Sequence, residues 1–104
     1  MLRRASRPTA CAVGSLNQVF GVLAALGEGG IAVPAGMSLV SLDEDECLAL
    51  LDVPVTSVSM PLAELGSAAV DALIARVDGG PGRDVVVLQP ISLIRRASVG
   101  PPPA

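Results

Sequence analysis

The sequence predicts an α/β fold with a mostly parallel sheet flanked by helices. Two observations carry that expectation. Short apolar runs rich in β-branched residues alternate with longer stretches whose apolar residues recur at helical spacing. The chain of 104 residues is 51% hydrophobic with a formal net charge of −3, so it can bury the core of one small domain.

Taken in order, residues 1–8 are Arg-rich, end at Pro8, and read as a flexible lead-in. Thr9 to Val13 is a nearly continuous apolar run, as in a strand covered on both faces. A helix should follow. Ser15 and Gln18 have capping-box spacing, Leu16, Val19, Phe20, Leu23 and Leu26 repeat at helical intervals, and Gly29 and Gly30 supply a stop. Pro34-Ala35-Gly36 predicts a turn, and Met37 to Leu42 a second strand that runs into the acidic stretch Asp43 to Glu46. Cys47 to Leu51 reads as one or two helical turns, and Val55 to Ser59 as a third strand. Pro61 suits the first turn of a long helix, with Leu62, Leu65, Ala69 and Leu73 on one face and Val70, Ile74 and Val77 widening it. Gly79 and Gly80 end it. Asp84 to Leu88 and Ile91 to Ile94 predict two last strands, and residues 98–104, Pro-rich at their end, a disordered tail.

Composition narrows the function. The chain contains no His, Lys, Tyr or Trp, so a nucleophile would find no usual activating base, and no catalytic residue is assigned. Cys11 and Cys47 form no CxxC pair, and the 43–46 run does not have the ligand spacing of a calcium loop. No metal or cofactor is expected. Gly27, Gly29 and Gly30 end a helix rather than open one, unlike a nucleotide loop. Basic charge gathers at Arg3, Arg4, Arg7, Arg95 and Arg96, the middle is acidic, and no helix-turn-helix pattern is visible. The chain alone is therefore not expected to bind nucleic acid. No apolar run approaches the roughly 18 residues of a membrane span, and no convincing export signal follows Met1. The expected setting is the cytoplasm, which suits two reduced thiols.

In parallel sheets, ligands gather at the carboxyl ends of strands. Ser15 follows the first strand and Asp43 the second. Ser15 suits capping as well as ligand contact. Asp43 belongs either to a solvated acidic loop or to a site where its carboxylate accepts hydrogen bonds from sugar-like or purine-like groups.

Four blocks in order carry a resemblance. They are Pro8-Thr9-Ala10 through Gly14-Ser15, then Val33-Pro34 with Met37 to Glu44, then Pro54 to Gly66, then Val87 to Arg96. Across residues 8–97 the chain resembles the C-terminal part of LacI/GalR transcription regulators. The resemblance implies a partial periplasmic-binding-protein-like type I fold over residues 9–97, with 61–89 in the N-terminal lobe and the rest in the C-terminal lobe. It implies a small polar effector, sugar-like or nucleoside-like, in the cleft between lobes, and a DNA-binding head outside this sequence. The candidate ligand residues are Asp43, Ser15, Asn17 and Met60. The family's Asn-Asp pair is Ser15-Leu16 here, its Gly-aromatic-Asp-Asp is Ser41-Leu42-Asp43-Glu44, and its Gln near the hinge is Met60; of these, Asp43 keeps its type. The implied two-fold interface maps to Phe20, Leu23, Leu48 and Leu51. An alternative is a stand-alone interaction protein, or a gene remnant, that binds neither effector nor DNA.

Overall fold

The computed structural model describes residues 6–79 and 88–104. They form two compact units: Met1–Ser59 with Ser92–Ala104, and Met60–Ile91. In the first unit four strands lie in the order β1 (Ala10–Val13), β2 (Ser38–Ser41), β3 (Thr56–Ser59) and β4 (Ser92–Ile94). The first three are parallel, and β4 runs antiparallel to β3. The sheet is thus mostly parallel, as the alternation of elements predicts.

The β1–β2 connection is the helix α1 (Leu16–Glu28). Val19 and Leu26 are buried on its inner face, and Leu16, Val22 and Leu23 are half-buried. These positions repeat every three or four residues, as one helical face requires. The face packs on a core of Val13, Val19, Leu39, Leu48 and Val55, the last four without exposed surface. Burial of each such side chain contributes about 1.5–3 kcal/mol. Phe20 lies off this face and is 41% exposed. The predicted stop forms as expected. Gly30 takes a left-handed φ of +66°, and the Ile31 amide donates to the Leu26 carbonyl at 2.9 Å, closing the last turn.

Two local expectations need correction. Ser15 has the extended backbone of an N-cap, yet its side chain makes no capping hydrogen bond. A carboxylate from elsewhere in the chain serves the helix end instead. The first strand is also not covered on both faces. Cys11 and Val13 turn toward the core, while Ala10 and Ala12 are exposed. Among the described residues β1 has one strand neighbour, and its side chains alternate between faces.

The predicted turn before β2 is closed by the Gly36 and Met37 amides, which both donate to the Ala32 carbonyl. After β2, Asp45 accepts from the Cys47 amide at 2.9 Å and starts a short 3-10 helix, Glu46–Ala49. That turn seats Leu48 in the core, and the Val55 amide donates to the Leu48 carbonyl, leading the chain into β3.

The expected disordered tail begins too early. Ser98 is fully buried: its hydroxyl donates to the Leu39 carbonyl and accepts from the Thr56 amide, so it bridges β2 and β3. Gly100 exchanges hydrogen bonds with the Ser38 hydroxyl at 3.0–3.1 Å. Strand amides and carbonyls next to the ladder need partners, and this segment supplies them. Pro101 to Ala104 are exposed.

The second unit contains α2 (Leu62–Val77), with Pro61 at its N-cap and Gly79 at φ +82° beyond its end. Glu64 in the first turn and Arg76 in the last complement the helix dipole. No residue of α2 is buried. Gly80 and residues 84–87 of the predicted strand lie outside the described residues, and Leu88 is exposed with no regular structure.

Candidate functional site

The register of the parallel strands creates the site. Val13, the last residue of β1, pairs with Ser41, the last residue of β2. The two following loops, Gly14-Ser15 and Leu42-Asp43, therefore emerge side by side. The Leu42 amide continues the pairing by donating to the Val13 carbonyl at 2.8 Å. Asp43 Oδ2 then accepts from the Leu16 amide at 3.2 Å. The first N–H of α1 is one of those a helix cannot satisfy internally, and a carboxylate there meets the positive end of the helix dipole.

The backbone of Asp43 is held on both sides by Ser41, which is fully buried. The Ser41 hydroxyl accepts from the Asp43 amide at 3.1 Å and donates to the Asp43 carbonyl at 2.6 Å. The next residue is fixed as firmly. The Arg96 guanidinium grips Glu44 with two parallel bonds, Nη1 to Oε1 at 3.1 Å and Nη2 to Oε2 at 3.0 Å. Nη1 also donates to the Val55 carbonyl at 2.9 Å and to the Ser57 hydroxyl at 3.3 Å. The Arg96 amide donates to the Thr56 hydroxyl. Hydrogen bonds from Arg96 hold the Glu44 carboxyl below its usual range, against an opposing push from burial. Asp45 is lowered by the hydrogen bond from the Cys47 backbone, and the Asp45 carboxylate pushes the Cys47 thiol up.

Of the predicted ligand residues, the described contacts thus bring Ser15 and Asp43 to one helix end. Asn17, in the first turn of α1, is exposed. Met60 is the first residue of the second unit and is 40% exposed. The acidic run is not uniformly a solvated loop. Its second carboxylate is paired, a feature hidden in the sequence because 52 positions separate Glu44 from Arg96.

The predicted interface set divides. Leu48 is corrected: it has no exposed surface and belongs to the core, because the 3-10 turn points it inward. Leu23 and Leu51 are half-buried and pack on that core. Phe20 stays accessible at 41% exposed, and Leu50, outside the implied set, is 84% exposed. Among the described residues no group of three metal-ligating side chains converges, and no helix is long and apolar enough to cross a membrane.

Comparison with known proteins agrees with this architecture. Residues 1–99 match the periplasmic binding protein-like domain. The chain is 30% identical to the ribose operon repressor of Haemophilus influenzae over 99 residues, covering 93% of this chain and 30% of that protein. It is 30% identical to the lactose operon repressor of Rhizobium radiobacter, covering 94% of this chain and 86% of that one. A solved LacI family transcriptional regulator from Mycobacterium smegmatis superposes with a TM-score of 0.81 at 32% identity, over 99% of this chain and 37% of its own. The chain spans about a third of the length of most such relatives, as with the 30% of the Haemophilus repressor. These relatives are named as repressors and regulators, not enzymes. Matched over nearly its whole length, the chain belongs to the periplasmic-binding-protein-like sensor domains of LacI/GalR-type transcription regulators.

Proposed function

We propose that this chain is the effector-sensing and dimerising part of a cytoplasmic LacI-type regulator. Its effector is a small polar molecule, sugar-like or nucleoside-like. One observation carries the reading: the Asp43 carboxylate stands at the carboxyl ends of two parallel strands, on a helix N-terminus, with one oxygen engaged by the Leu16 amide. The carboxylate can still accept from a ligand hydroxyl or ring N–H. The names of the relatives support a polar metabolite, since they include ribose, lactose and opine operon repressors. Nucleic acid is not a partner of this chain alone on this reading, and self-association runs through the α1 side, with Phe20 as its anchor.

The test uses the Haemophilus ribose repressor with its matching segment replaced by residues 1–99. We expect saturable binding of a pentose, hexose or nucleoside by calorimetry. Asp43→Ala should weaken it by about 1–3 kcal/mol, the worth of a charge-assisted hydrogen bond. Identical titrations for the parent and the Asp43→Ala hybrid, or no binding across the panel, overturn the proposal.

A further inference from the structure

Glu44, the neighbour of Asp43 in the chain, is paired with Arg96. The pair is far from a loose surface ion pair. The Arg96 side chain is 13% exposed and that of Glu44 21%, and the guanidinium makes four hydrogen bonds, two of them to β3 or its lead-in. A planar guanidinium held this way has one orientation, so the carboxylate it grips has one position. Glu44 is one peptide unit from Asp43, whose own amide and carbonyl are bound to Ser41. The backbone of Asp43 is thus fixed from both sides, and its carboxylate retains only two side-chain torsions. Arg96 stands two residues beyond β4, the strand by which the chain re-enters the first unit after Ile91.

We propose that Glu44 and Arg96 are positioning residues, a strap that holds the Asp43 carboxylate on the N-terminus of α1 and ties that geometry to the segment following β4. The consequence for effector binding rests on the reading of Asp43 given above; the strap itself does not. An Asp43 left to sample several rotamers would have to be ordered again by each ligand, which weakens binding. The same link lets a displacement of the β4 segment reach Asp43 through two side chains and one peptide unit. Arg95, its neighbour, is exposed and makes no such connection among the described contacts.

The test is amide hydrogen exchange by NMR on the full chain, read at Leu16, whose N–H is bound by Asp43. Glu44→Gln and Arg96→Gln should each speed Leu16 exchange by about tenfold or more beyond any change at the Ile31 and Met37 amides, whose hydrogen bonds lie away from the pair. The exchanged pair, Glu44→Arg with Arg96→Glu, should return Leu16 to within about threefold of the parent. If the neutral variants do not fold, Glu44→Asp and Arg96→Lys keep the charges, remove the paired geometry, and give the same comparison. Leu16 exchange that moves only in step with Ile31 and Met37 means the pair is a plain stabilising contact, and the strap is wrong. A selective effect at Leu16 in a chain whose hybrid repressor binds no effector leaves the strap standing and removes the effector reading instead.

Discussion

At the scale of single residues, the site is a chain of short-range bonds in which charge and geometry are inseparable. Glu44 makes this testable through pH. Its carboxyl lies below the ordinary value of 4.5 in the folded chain, chiefly because Arg96 donates to it. A lowered folded value means that the pair stabilises the fold above the unfolded value and that this contribution is lost as pH falls through the folded one. Glu44→Gln should therefore cost about 1–2 kcal/mol at neutral pH, less than a fully buried pair because water still reaches part of it. The gap between variant and parent in urea unfolding should stay constant from about pH 7 to pH 5 and shrink below about pH 4.5. A gap that ignores pH would show that Glu44 acts through packing alone. Asp45 shifts in the same direction, and comparison with the parent at each pH cancels it. The place of Asp43, just beyond the end of β2, was readable from sequence because a strand pattern ended just before it. Glu44, Arg96 and Ser41 were not, since an ion pair spanning 52 residues has no local signature. Nor does a buried serine hydroxyl that grips a loop two residues on.

Among the elements, legibility followed how local the determinant was. The spans of α1, β2, β3 and α2 were readable because periodicity and glycine punctuation act within a turn or two. Three features were not: the missing Ser15 cap, the open face of β1 and the stitched segment from Ala97 to Gly100. Each depends on what the fold brings from far away: Asp43 onto Leu16, the position of β1 in the sheet, and Ser98 onto Leu39 and Thr56. Glycines separate local from long-range demands in a way that can be measured. A Cβ on Gly36 would lie 2.9 Å from Ile31 Cγ2 and 3.1 Å from the Ala32 carbonyl oxygen, in the tight turn that leads into β2. Gly21, in the middle of α1, is exposed and would meet nothing within 4 Å. Gly36→Ala should destabilise by about 1–3 kcal/mol, since the branched Ile31 side chain and the Ala32 carbonyl must both shift. Gly21→Ala should stabilise by about 0.5–1 kcal/mol, because alanine gives up less conformational freedom in a helix. Thermal melts of the two variants should move in opposite directions. Shifts of the same sign would mean that the turn relaxes freely or that α1 frays at its centre.

For the whole molecule, the governing fact is the apolar surface exposed in each unit. In the first unit Phe20 is 41% and Leu50 84% exposed. In the second, α2 exposes Leu62, Val70, Leu73, Ile74 and Val77 by more than half, at the spacing of one continuous helical face. Contiguous apolar faces of this kind drive association in soluble proteins. We expect the isolated chain to self-associate at concentrations on the order of tens of micromolar, through two separable surfaces. Phe20 is the single aromatic side chain, of a type that anchors subunit contacts, so Phe20→Glu should lower the population of a discrete dimer. It should leave larger, polydisperse species in place. Leu73→Glu combined with Ile74→Lys should do the reverse, removing the large species and sparing the dimer. Leu48→Glu is uninformative about either surface, because Leu48 lies in the core and a buried charge there should destabilise the first unit itself. Light scattering coupled to size exclusion separates the two effects. A wild-type chain that stays monomeric at those concentrations and melts cooperatively would mean that both faces are quiet, and that neither Phe20 nor α2 marks a place where this chain meets another.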